Sequence, residues 1–193
     1  MKLLLNALAV SLSMWSCGTA MPGADAGTDA GPAAPTCASY CTSVMANCTG
    51  ANAQYSSEAS CLGSCSAFAP GATGATSGNT LSCRAYHAAA SPADPALHCP
   101  HAGPAGDGTC GSNCDGFCAL ELSKCASNFA DLASCTTACN GFALNAAHYN
   151  DSTTTGNNFA CRMYHLTVAA TDTTSANSHC PHTTTASAPG TCQ

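Results

Sequence analysis

The chain contains no isoleucine, and after residue 17 it has only eight leucines, two valines and five phenylalanines. That is far below the roughly 20% of Leu, Ile, Val and Phe under which chains fail to fold by apolar burial. A conventional hydrophobic core is excluded, because too little area can be buried to offset backbone entropy. Cations are equally scarce. Lys2, Arg84, Lys124 and Arg162 stand against ten acids, for a net charge of −6. Nucleic-acid binding and attraction to anionic lipid are therefore not expected. There is no Cys-x2-Cys, the spacing of zinc ribbons, thioredoxin-type sites and c-type haem attachment. There is no Gly-x-Ser-x-Gly and no His-Glu-x2-His, so no catalytic motif is present. No stretch alternates at period two, which argues against strands.

What is there is cysteine. Of seventeen, sixteen fall into two matching sets of eight. The first is Cys37, Cys41, Cys48, Cys61, Cys65, Cys83, Cys99 and Cys110. The second is Cys114, Cys118, Cys125, Cys135, Cys139, Cys161, Cys180 and Cys192. Both run Cys-x3-Cys-x6-Cys, then a second Cys-x3-Cys, then Cys-Arg-x-Tyr-His, His-Cys-Pro-His and Gly-Thr-Cys. This is a tandem duplication of a disulfide-framed unit. Cysteine at about a tenth of the chain marks an oxidised, secreted scaffold. Each closed loop of a few tens of residues restricts the unfolded state by roughly 3–4 kcal/mol. The expected fold is small, disulfide-rich and mainly α, with repeats at 37–110 and 114–193. Each repeat is expected to hold a Cys-x3-Cys helical hairpin, a third helix and an irregular His/Cys-rich loop.

The N-terminus reads as an address. Lys2 precedes a short apolar run, Leu3 to Leu12, which gives a signal peptide over residues 1–16. Met14-Trp15-Ser16-Cys17-Gly18 resembles a bacterial lipobox, and residues 17–36 form a low-complexity tether rich in Ala, Gly, Asp and Pro. Together they resemble the surface lipoproteins of myxobacteria-like bacteria. The resemblance implies lipidation of Cys17, a location in the cell envelope and a membrane contact through the lipid anchor only. The alternative is cleavage after Ala20 and a secreted or periplasmic protein. Protein and small-molecule partners are left open. Two Asn-x-Ser/Thr sequons occur, at Asn47 and Asn150, which a bacterial lipoprotein would leave idle.

Residues i, i+4 and i+11 share a helix face. Cys37, Cys41 and Cys48 obey this, as do Cys114, Cys118 and Cys125, with Thr36 and Asn113 as expected N-caps. A second helix carries Cys61 and Cys65, or Cys135 and Cys139. A third starts near Asn79 or Asn157. Beyond it, Pro92, Pro95, Pro100 and Pro104 predict irregular chain in the first repeat. In geometry, though not in kinship, the front half resembles the twin Cys-x3-Cys hairpins of small mitochondrial intermembrane chaperones. An antiparallel hairpin of that kind would pair Cys37 with Cys65, Cys41 with Cys61, Cys114 with Cys139, and Cys118 with Cys135. The remaining connectivity is open.

The repeats also share polar residues. Arg84 matches Arg162, and Tyr86 matches Tyr164. His87, His98 and His101 match His165, His179 and His182, and His148 is unmatched. Three neutral imidazoles can bind a transition metal or haem, so each trio is a candidate metal site. The bland alternative is that they satisfy backbone groups around a disulfide knot. For Arg84 and Arg162 an internal role is expected over binding a carboxylate or phosphate ligand: pairing with the chain's own acids, with capping of helix-end carbonyls or stacking on the neighbouring Tyr also open. The Gly103–Gly108 run lacks the features of a phosphate or calcium loop and reads as a linker. The leading functional reading is a non-enzymatic protein with a binding or structural role outside the cytoplasm. A His-based metal or haem module is second, and a metal-dependent enzyme third.

Overall fold

Capping residues set the start of every helix. The computed structural model describes residues 33–193 except 145, 188 and 189. The signal-peptide, Cys17 and most of the tether readings fall outside these residues. In repeat 1, α1 (Cys37–Asn47) begins at Thr36, whose side chain accepts from the Ser39 backbone in a capping box. Next, α2 (Glu58–Cys65) begins at Ser57 with the same device. Thr80 caps α3 (Leu81–Ala90), and Asp94 caps α4 (Pro95–Ala102). Repeat 2 follows with α5 (Asn113–Lys124), α6 (Leu132–Asn140), α7 (Phe159–Ala169) and α8 (Thr173–His179), the last running into a 3₁₀ turn at Cys180–His182. Each side-chain acceptor satisfies a backbone N–H that has no partner within the helix. No strand occurs among the described residues, and none of their helices is long and apolar enough to cross a membrane.

Two local expectations shift. Ser112 is the N-cap of α5, and Asn113 is its first residue. The proline-rich stretch of repeat 1 is a helix rather than irregular chain. Pro95 occupies its first turn, where no N–H is needed, and only Pro100 lies inside it. The regularity matters because α4 carries His98, Cys99 and His101 at fixed spacing.

The disulfides are the same four in each repeat. Cys37–Cys65 and Cys41–Cys61 staple α1 to α2, as Cys114–Cys139 and Cys118–Cys135 staple α5 to α6. Cys48–Cys99 ties the end of α1 to α4, and Cys125–Cys180 is its counterpart. Cys83–Cys110 and Cys161–Cys192 tie the third helix to the end of the repeat. None of these bonds crosses between repeats.

A buried arginine organises what the cysteines leave. Arg84 is fully buried on α3. It donates to the carbonyls of Gly103 (3.1 Å), Thr80 (3.3 Å) and Pro104 (3.2 Å) and to Asn79 Oδ1 (2.8 Å). Its guanidinium lies 3.9 Å from the centre of the Phe68 ring. Arg162 repeats this on Thr184, Asn158 and Cys192 carbonyls, Asn157 Oδ1 and the Phe142 ring. The expected acid partner is absent. Carbonyls and an aromatic face take its place, because the planar fork satisfies several acceptors at once without burying a second charge. Burial lowers the pKa of both arginines.

Pro32–Gln193 forms one unit. The repeats meet along several hydrogen bonds: Asp151 N–H to the Ala53 carbonyl, Gln54 Nε2 to the Tyr149 carbonyl, and Lys124 Nζ to Ser66 Oγ. Helix α2 approaches the end of α7 so closely that a Cβ at Gly63 would overlap the Ala170 carbonyl. Gly63→Ala is therefore expected to destabilise the protein by about 1–3 kcal/mol through displaced backbone. Thermal unfolding with disulfides intact measures this. Arg84→Ala orphans four acceptors and opens a cavity. It is expected to cost about 3–5 kcal/mol in denaturant unfolding, and Arg84→Lys recovers only part because a single ammonium cannot reach the whole fork.

Candidate metal centre

Three imidazoles converge in each repeat. His87 projects from α3 one turn beyond Cys83, and the Cys48–Cys99 bond fixes the α4 turn that carries His98 and His101. His87 is buried and the other two are half-buried. His87 Nε2 faces the Thr76 carbonyl at 3.2 Å. A carbonyl only accepts, so Nε2 carries the proton and Nδ1 is the bare nitrogen. That Nδ1 lies 3.0 Å from His98 Nδ1. His101 packs 4.8 Å from His87 between ring centres, and its Nδ1 is buried with no hydrogen-bond partner. One ring nitrogen from each of the three lies within 4.8 Å of the others.

Repeat 2 rebuilds the arrangement on a longer loop. His165 Nε2 faces the Thr154 carbonyl at 3.1 Å, and its Nδ1 lies 2.7 Å from His179 Nδ1. His182 packs 4.9 Å from His165, and its Nδ1 is also buried without a partner. The tautomer-fixing carbonyl stands eleven residues before the helix histidine in both copies. Tyr86 and Tyr164 pack edge-on to His87 and His165. Cys83 and Cys110 lie near His87, and Cys161 and Cys192 near His165. They are disulfide-bonded and offer no thiolate.

Burial lowers the pKa of His87, His101, His165 and His179, with neighbouring imidazoles adding to the effect. All four are thus held neutral at pH 7, the form that binds metal. The signal legible beforehand was the register of six histidines across the duplication. What sequence reading missed was the role of Thr76 and Thr154, which act through backbone oxygens, and of Asp107 and Glu121.

Residues 27–115 match the BfoA family C-terminal domain, which spans the tether, repeat 1 and the junction, a little under half of the chain. A 64-residue stretch is 45% identical to Aurasperone B biosynthesis cluster protein A of Aspergillus niger, covering 33% of this chain and 21% of that protein. Bifonsecin B biosynthesis cluster protein A of Aspergillus brasiliensis is 44% identical over 64 residues, covering 33% of this chain and 22% of its own length. The chain thus spans about a fifth of the curated relatives it matches. No solved structure matches.

These relatives are fungal, and they overturn the resemblance to bacterial surface lipoproteins drawn from residues 1–36. Cys17 itself lies outside the described residues and outside the stretch that the family model matches. A short apolar run followed by a cysteine is a low-information pattern. The family match covers residues 27–115, and so the cysteines of repeat 1 rather than Cys17.

Glu121 is the other unexpected group. It is fully buried on α5, where repeat 1 has Val44. Its Oε1 accepts from Asn128 Nδ2 (2.6 Å) and Thr183 Oγ1 (2.8 Å), and Oε2 has no partner. Burial raises its pKa to about 7, against the pull of those two hydrogen bonds. A raised acid pKa means that the folded state favours the protonated form. The stabilisation is full below about pH 4.5 and is lost as pH rises to about 7. Glu121→Gln is expected to remove that dependence. The gap in unfolding free energy between wild type and variant should change by about 3 kcal/mol between pH 4.5 and 7. Comparing the pair at each pH cancels the opposing contribution of the histidines.

Proposed function

We propose that this chain is a non-enzymatic, disulfide-framed protein that works outside the reducing cytosol and binds one transition-metal ion at the histidine trio of each repeat. One observation carries the reading. In both repeats the third histidine, His101 or His182, holds a buried Nδ1 with no partner beside two imidazoles whose Nδ1 atoms face each other. A buried unpaired polar atom costs about 1–3 kcal/mol, and a duplicated one points to a ligand that satisfies it. Tetrahedral zinc at 2.0–2.1 Å from each nitrogen needs donor atoms about 3.3 Å apart. Small ring shifts reach that spacing. Thr76 and Thr154 supply the carbonyl that metal-bound histidines use to fix the opposite nitrogen. On this reading His87, His98 and His101 hold one ion and His165, His179 and His182 the other, each with a fourth position for water or a partner.

The compartment is part of the proposal. Sixteen paired cysteines suit a secretory route, and the relatives' names connect those proteins to biosynthesis clusters without naming an activity. We therefore assign this chain an accessory role in binding metal rather than a catalytic one.

Disulfide-intact protein purified without chelators is expected to hold about two zinc or copper ions per chain by elemental analysis. His101→Ala with His182→Ala should lose both. Affinity should fall as the pH drops below about 6.5, because imidazole is the only donor and protons compete for it. Metal content far below one ion per repeat, even after zinc or copper is supplied, sinks the proposal. In that case, a lower melting temperature for metal-free His101→Ala would mark the trio as a hydrogen-bonded brace.

A further inference from the structure

We infer that Asp107 makes the two metal sites unequal: its carboxylate backs His101 in repeat 1, and repeat 2 has no counterpart. The inference rests on the metal-binding reading above and asks what differs between otherwise matching trios.

Asp107 lies in the run from Gly103 to Cys110 that closes repeat 1. Among the described residues it is the non-glycine residue with a positive φ, 50°, between Gly106 at 78° and Gly108 at 82°. Left-handed backbone at a residue with a side chain is disfavoured and persists only where surrounding structure imposes it. The side chain is tucked in, at 12% exposure. Its Oδ2 accepts from His148 Nδ1 at 2.7 Å and stands 3.9 Å from His101 Nε2. His148 is the one histidine without a match across the duplication, and it comes from repeat 2. It holds the carboxylate beside His101 from the far side of the repeat boundary.

The geometry suits an outer partner of a metal ligand. His101 presents Nδ1 to the trio, leaving Nε2–H to point outward at Asp107. A carboxylate on the distal N–H fixes the ring and raises its basicity, and loss of such a partner typically costs 10–100-fold in affinity. A closure of about 1 Å turns the present 3.9 Å contact into a hydrogen bond. Repeat 2 cannot do this from the same place. Aligning Gly108-Thr109-Cys110 with Gly190-Thr191-Cys192 puts Pro189 at the position of Asp107. The trios also differ in readiness. Ring nitrogens within 4.8 Å of one another are found for His87, His98 and His101, and His165, His179 and His182 are not gathered as closely.

The test is a zinc titration of the metal-free, disulfide-intact chain by calorimetry, with cobalt absorption as a spectroscopic check. Wild type is expected to bind two ions in separate steps differing 10–100-fold. The tight step should persist when His165 and His182 are changed to Ala, and vanish when His87 and His101 are. Asp107→Asn should weaken the tight step until the two merge, and shift the cobalt spectrum of the repeat 1 site. Asp107→Glu should recover part of the gap. His148→Ala should narrow the gap less than Asp107→Asn does, because His148 positions the carboxylate while Asp107 itself remains to back His101. Two unchanged steps in Asp107→Asn, or a tight step that belongs to repeat 2, overturn the inference while leaving the metal reading intact. So does a gap lost equally in His148→Ala and Asp107→Asn, which would make Asp107 a clip between repeats. No zinc or cobalt bound by wild type overturns the metal reading itself.

Discussion

Four covalent ties per repeat reinforce a small core in which the half-cystines pack with Tyr40, Val44, Phe117, Leu120, Met163 and Leu166. The nested pairs staple α1 to α2 and α5 to α6. The other two ties are longer in sequence and do more for geometry. Cys48–Cys99 and Cys125–Cys180 close loops of 51 and 55 residues and bring the histidine-bearing turn against the third helix. They anchor Cys99 and Cys180, and with them the flanking histidines, to the C-terminal ends of α1 and α5.

The frame leaves polar groups inside, and the chain handles them with few charges. Arg84 and Arg162 each gather three carbonyls, an Asn oxygen and a phenyl face. Tyr40 bridges Tyr55 and the Ala102 carbonyl in the same way. Most buried polar atoms find such partners, so the exceptions are informative. His101 and His182 repeat the same exception at the same place in two copies whose exposed surfaces have diverged. Glu121 is an exception of another kind. It occurs in one copy only, as a replacement for Val44, and its high pKa follows from burial without a cation.

The two repeats are alike in frame and unlike at their seam. Gly63 and Gly116 allow backbone to approach backbone between them, and Asp107 and His148 meet across the same boundary. Duplication therefore supplied two trios in register, while packing the copies together placed the Asp107 carboxylate beside the first.

The sequence by itself determined the frame: sixteen cysteines in two registers, helix faces at i, i+4 and i+11, N-cap residues, and the absence of strands among the described residues. These depend on local geometry and on comparison of one repeat with the other. It also put six histidines in register, since matching positions need no coordinates. Tertiary structure alone decided the rest. The long-range pairs of Cys48, Cys83, Cys125 and Cys161 depend on where α4 and the repeat ends return, which no local period encodes. Three of the groups that Arg84 bonds are backbone carbonyls, those of Gly103, Thr80 and Pro104, and a sequence does not show which carbonyls a side chain will reach. Asp107 looked like part of a linker because its two histidine neighbours are 6 and 41 residues away, and only a folded seam brings them to one carboxylate.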